Sequence, residues 1–115
     1  MVESDAAAAA SLEQNRQLLG AERLTIRRDI AQRFLTRETS RQFDIVFLDP
    51  PFSMQDREQV FQLLAERGWL REHALIYMES AARTTRPSPP STWGLLRRRQ
   101  AGQVDYALYR RGDAV

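Results

Sequence analysis

The sequence predicts an α/β fold, a doubly wound and mostly parallel sheet closed by an antiparallel hairpin. Three observations carry that prediction. Apolar, β-branched runs alternate with segments of helical period, the pattern of successive βα units. The run Phe43-Asp44-Ile45-Val46-Phe47-Leu48 lacks polar alternation, as a parallel strand buried on both faces does, and it stops at Asp49-Pro50-Pro51-Phe52. Near the end, two further apolar runs are joined through Gln100-Ala101-Gly102-Gln103, a hairpin by its length and its glycine.

The elements follow in order. Met1-Val2-Glu3 reads as the last turn of a strand, and Ser4 or Asp5 caps a helix from Ala6 to about Leu19. Ala8, Leu12 and Leu19 fall on one face of it, and Gly20 supplies a stop. Leu24 to Arg28 is a short strand. Asp29 then caps a helix through about Glu38, with Ile30, Phe34 and Leu35 turned inward. Past the proline corner, Ser53-Met54-Gln55-Asp56 fits a capping box opening a helix to about Arg67, with Val60, Phe61 and Leu64 facing the sheet. Gly68 ends it, and Trp69 and Leu70 fold back onto its apolar side. Ala74 to Glu79 is a buried strand, residues 84–91 a proline-rich connection too stiff for a domain linker, and Trp93 to Arg99 and Val104 to Arg110 the hairpin strands.

Composition narrows the function classes. A chain of 115 residues is a single domain, residues 1–115, with a modest core. It has no cysteine, so no disulfide framework and no thiolate metal site is expected. No apolar run approaches membrane-spanning length and the alanine-rich start lacks a basic leader, so the expectation is a cytoplasmic protein without a membrane partner. All 17 basic residues are arginine against a net charge of only +2; the bias fits GC-rich codon usage, and the charge permits a polyanionic partner without requiring one.

The corner carries the chemistry. Pro50 and Pro51 lack N–H donors and restrain the residues before them to extended geometry, so Asp49 and the Pro50 carbonyl are held side by side at the carboxyl end of a strand, where open α/β sheets bind ligands. Two adjacent acceptors suit the two hydrogens of an exocyclic amino group, and Phe52 can stack on a flat base. The bland alternative is a proline-rich strand-to-helix turn. Asp-Pro-Pro-Phe resembles the signature of amino methyltransferases, which use S-adenosylmethionine to methylate exocyclic nitrogens of nucleic-acid bases.

The resemblance widens along the chain. Val2-Glu3 closing a strand, Arg28-Asp29 closing the next, Asp49-Pro50-Pro51-Phe52, Gly68-Trp69-Leu70, Leu75-Ile76-Tyr77-Met78-Glu79-Ser80 and the Ala101-Gly102-Gln103-Val104 hairpin are together similar to the carboxyl-terminal portion of the RsmD family, bacterial 16S rRNA guanine-N2 methyltransferases with a class I Rossmann-like fold. The resemblance implies S-adenosylmethionine as cofactor, no metal, and 16S rRNA or an assembling small ribosomal subunit as partner, for a monomer. It implies that Glu3 accepts the cofactor's ribose hydroxyls, that Asp29 and the Ile30 amide read its adenine, and that Asp49, Pro50, Pro51 and Phe52 hold the guanine in line with the methyl group, with Asp49 counted among the cofactor-binding residues as well. Whether Asp49 also accepts a proton or only bears developing charge, spacing does not separate.

Other residues carry competing readings. Glu79 and Ser80 close a strand at the ligand-binding end of the sheet, or are solvated strand-end groups. His73 reads as a surface loop residue. Arg97-Arg98-Arg99 with Arg110-Arg111 either grip RNA phosphates or solvate edge strands. Trp69, Trp93, Tyr106 and Tyr109 read as packing. None of the five glycines forms the glycine-rich cofactor loop. The resemblance implies that this loop and the family's central first strand are absent here, leaving unpaired inner edges, so the chain alone is expected to bind cofactor poorly and turn over little. The rival functions are an adenine-N6 methyltransferase of DNA or RNA and a non-catalytic RNA-binding remnant.

Overall fold

The computed structural model describes residues 1–37, 41–48, 54–81 and 89–112, in two compact units, Met1–Arg37 and Glu38–Val115. In the first, strand β1 (Val2–Glu3) leads into helix α1 (Ala6–Leu19), followed by strand β2 (Arg27–Arg28) and helix α2 (Ala31–Leu35). β1 and β2 pair in parallel, Val2 opposite Arg27 and Glu3 opposite Arg28. α1 has the expected ends. Asp5 Oδ2 accepts from the Ala8 N–H at 2.8 Å, and Gly20 closes the helix at φ 64°, a left-handed conformation that costs glycine nothing because it has no Cβ.

Three expectations for this unit change. The strand expected over Leu24 to Arg28 is reduced to Arg27–Arg28. Leu19 is 82% exposed rather than packed, and Ala9 is the buried residue of α1, because the buried stripe lies near the helix start. α2 is a five-residue helix whose cap position is Ile30, without a side-chain cap bond; Asp29 lies one residue too early to cap it. Ile30 is half exposed, and only Leu35 of its expected inward set is fully buried.

The second unit is a four-stranded sheet in the order β3-β4-β6-β5, from β3 (Phe43–Leu48), β4 (Leu70–Ala81), β5 (Trp93–Ala101) and β6 (Val104–Arg111), with helix α3 (Met54–Glu66) between β3 and β4. β3 and β4 are parallel, and β6 runs antiparallel to both β4 and β5. The expected hairpin is present: Ala101 pairs with Val104 across Gly102-Gln103, with Gly102 at φ 59° at the first turn position, where a type II′ turn requires a positive φ. Val60, Phe61 and Leu64 of α3 are at most 3% exposed, and Phe61 meets Trp93 with ring centroids 5.3 Å apart, so α3 covers the sheet face formed by Ala74, Ile76, Met78, Ala107 and Tyr109. That is the core.

Two corrections apply here. β4 begins at Leu70, earlier than Ala74. Leu70 pairs with Phe43 while Leu75 pairs with Ile45, so Arg71, Glu72 and His73 loop out of register, with His73 at φ 64°. Trp69 stacks on Phe43 at 6.3 Å and 15°, at the strand entrance. The second concerns β3, expected to be buried on both faces. It is the edge strand of its sheet, and Ile45 and Phe47 are 54% and 74% exposed, on the face opposite the one that α3 covers within this unit. The Ser53 cap and residues 82–88 lie outside the described residues.

Candidate cofactor and base site

In the first unit the topology brings Glu3 and Asp29 together. The strands are parallel, so both carboxyl ends lie on one side, and the Asp29 N–H donates to the Glu3 carbonyl at 3.1 Å. Glu3 Oε1 accepts from the Asp5 N–H at 3.0 Å, which fixes the carboxylate beside the start of α1 and leaves Oε2 as an acceptor. A carboxylate so held fits the diol of a ribose.

Asp29 is more occupied than its sequence context suggested. Its side chain is only 11% exposed. Oδ1 accepts from the Ile30 N–H at 2.8 Å, and Oδ2 accepts from Arg37 Nη2 at 3.3 Å, with Arg33 Nε 3.9 Å from Oδ1. The two groups expected to read an adenine are therefore bonded to each other. Each carboxylate oxygen still has a second lone pair, so the carboxylate can accept from a purine's amino group as well. The arginine contacts were not foreseen. Arg33 reaches it from within α2, four residues on, and Arg37 from two residues past the end of that helix.

In the second unit β3 delivers the chain to the corner; Asp49, Pro50, Pro51 and Phe52 themselves lie outside the described residues. Leu48, the last residue of β3, pairs in parallel with Met78, so Glu79 and Ser80 stand at the same end of the sheet. Glu79 Oε1 accepts from the Tyr77 hydroxyl at 2.9 Å, and the Ser80 hydroxyl donates to the Asp105 carbonyl at 3.5 Å. Arg98 forms a two-point pair with Asp105, at 2.6 and 3.3 Å, with side chains 21% and 14% exposed. Thus one member of the arginine cluster is committed to structure, while Arg97 and Arg99 are exposed. Arg111 donates from Nη1 to the Leu70 carbonyl, tying β6 to the start of β4. Trp69, Trp93 and Tyr109 are buried, as packing residues should be, and burial pushes the Tyr109 hydroxyl's pKa up.

The family model described as "Conserved hypothetical protein 95" matches residues 1–110. The chain is 38% identical over 111 residues to ribosomal RNA small subunit methyltransferase D of Escherichia coli K12, covering 96% of this chain and 56% of that protein. This chain belongs to the RsmD family. A Haemophilus influenzae protein of the same name is 46% identical over 70 residues, 58% of this chain and 34% of its own length. Among solved structures, E. coli yhhF superposes with a TM-score of 0.89 at 37% identity, covering 98% of this chain and 63% of that one. A second structure, from H. influenzae, gives 0.81 at 34% identity, covering 97% and 71%. The fold is that of the class I methyltransferases. It spans a little over half the length of its curated E. coli relative. No described helix is long and apolar enough to cross a membrane.

Proposed function

We propose that these residues form the carboxyl-terminal part of a methyltransferase that uses S-adenosylmethionine to methylate the exocyclic N2 of a guanine in 16S rRNA. The observation that carries this reading is the 38% identity over 111 residues to a protein named for small-subunit ribosomal RNA methylation, beside the family match across residues 1–110. The placement of Glu3 and Asp29 on adjacent strand ends supports it.

When bound, S-adenosylmethionine supplies an electrophilic methyl group on a sulfonium sulfur. The chain's own residues then bind and orient. Glu3 accepts the ribose hydroxyl protons, and Asp29 accepts from the adenine amino group while Ile30 offers its amide to the ring. On the substrate side Asp49 and the Pro50 carbonyl accept the two N2 hydrogens, Phe52 stacks on the guanine, and Pro51 keeps the corner rigid. Holding nitrogen, methyl carbon and sulfur in line removes much of the entropic barrier. Asp49 stabilises the positive charge that develops on the attacking nitrogen, and the proton that nitrogen then loses passes to the Asp49 carboxylate or to solvent water.

We infer that the 115 residues taken alone bind cofactor weakly, since they match 56% of the length of the E. coli relative. Isothermal titration with S-adenosylmethionine tests this. Little or no heat is expected from the isolated chain, whereas saturable binding with transfer of labelled methyl groups to small-subunit RNA would show that the 115 residues suffice. If methylated-nucleoside analysis then gave N6-methyladenine in place of N2-methylguanine, the corner would be reading adenine.

A further inference from the structure

Three side chains stand in a row across the carboxyl-terminal sheet. Tyr106 of β6 pairs with Glu79 of β4 on one side and with Arg99 of β5 on the other. Cross-strand partners share a face, and these alternate with Met78, Ala107 and Arg98, so the row lies on the face opposite the one that α3 covers. The next row on that face is Tyr77, Leu108 and Arg97. The rings of Phe47, Tyr77 and Tyr106 follow one another across three strands, with centroids 5.8 and 6.2 Å apart. Arg97 and Arg99 are exposed, and neither forms an ion pair among the described residues. Glu79 and Arg99 lie two strand spacings apart, about 10 Å, with the Tyr106 ring between them, so they do not neutralise each other. Glu79 is braced instead by the Tyr77 hydroxyl on Oε1, which leaves Oε2 and a second lone pair on Oε1 as acceptors.

We propose that Glu79, Tyr106 and Arg99 form a guanosine site for single-stranded RNA, separate from the base that is methylated; it goes beyond the function proposed above and does not require it. Acceptor, flat ring and cation follow in the order in which a nucleotide carries donors, base face and phosphate. The base stacks on the half-buried Tyr106 ring. Its N1–H and N2–H donate to the Glu79 carboxylate, and the Arg99 guanidinium meets the phosphate of the same nucleotide. The carboxylate selects the base. Adenine and cytosine present a ring-nitrogen acceptor on that edge, which a carboxylate repels, and uracil presents a single N–H between two carbonyls. The occupant is a strand rather than a free nucleotide, because the adjoining row supplies Arg97 for a second phosphate and the 74% exposed Phe47 ring for a second base.

The test follows the Tyr106 ring signals by NMR in the 115-residue chain, assigned by their loss in Tyr106→Leu. They should shift saturably with guanosine monophosphate and, at lower concentration, with a short oligouridine carrying one guanosine; the adenosine counterparts of both should bind about tenfold more weakly, as loss of a two-point base contact does. Glu79→Gln keeps the oxygen that Tyr77 bonds but offers one acceptor and one donor, the complement of adenine's amino group and N1, so the preference should turn to adenosine. Arg99→Gln should lower the slope of log affinity against log salt by about one and leave the base preference in place. Signals unmoved by guanosine monophosphate and by the guanosine oligomer overturn the proposal. So do equal affinities for guanosine and adenosine, a Glu79→Gln chain that still prefers guanosine, and binding of the mononucleotide without the oligomer. None of these readouts uses S-adenosylmethionine or methyl transfer, so failure of the enzymatic reading shows separately, as guanosine binding without methylation.

Discussion

From Met1 to Arg37 only Ala9 and Leu35 are buried, whereas in the carboxyl-terminal unit Val60, Phe61, Leu70 and Ile76 are sealed at 1% exposure or less and Trp69, Trp93 and Tyr109 close around them. The first unit is held by two short paired strands, helix caps and charge pairs such as Arg37 with Asp29. The second is held by apolar area, which at about 25 cal/mol per Å² outweighs exposed ion pairs worth at most about 1 kcal/mol each. The candidate cofactor residues Glu3 and Asp29 thus sit in the weakly held unit, and the strand leading to the base-holding corner in the strongly held one. Residues that must yield to a ligand belong where local opening is cheap.

The largest test of this contrast is Phe61→Ala. Phe61 packs on Trp93, and truncating a sealed phenylalanine costs about 3–5 kcal/mol, so urea unfolding followed by tryptophan fluorescence should shift sharply to lower denaturant. Next, Arg98→Met removes a half-buried two-point pair with Asp105 and should cost about 1.5–3 kcal/mol by the same assay. Asp5→Ala removes the α1 cap bond and should cost about 1 kcal/mol, seen as faster amide exchange in α1 with the tryptophan midpoint unchanged. A midpoint that moves with Asp5→Ala would mean that the two units unfold as one. The smallest effect concerns alkali. Burial raises the Tyr109 pKa in the folded chain, so its contribution to stability is complete below about pH 10, the ordinary tyrosine value, and declines as pH rises from there through the folded pKa. Spectrophotometric titration should show a tyrosine ionising late, and Tyr109→Phe should remove it.

Local signals were legible in the sequence where the chain itself decides the outcome. The α1 boundaries follow from Asp5 and Gly20, the hairpin from Gly102, and the buried face of α3 from the spacing of Val60, Phe61 and Leu64. What failed depended on neighbours. An apolar run such as Phe43 to Leu48 says that its residues can be buried on both faces, not that partners are present to bury them. The start of β4 was hidden because Arg71-Glu72-His73 reads as a loop, and it is one, inserted inside the strand. Of the candidate site, the pairing of Glu3 with Asp29 followed from strand order, but the arginines on Asp29 did not, since charge on a short helix gives no period to read.

The most direct test of the proposed function joins this chain to what its relatives have in addition. The matching segment of the E. coli relative is replaced by these 115 residues, and the chimera is incubated with labelled S-adenosylmethionine and 16S rRNA. N2-methylguanine is predicted, and Asp49→Ala in the chimera should abolish it. A folded chimera that binds cofactor yet yields no N2-methylguanine, or one in which Asp49→Ala methylates as well as the parent, would contradict the account.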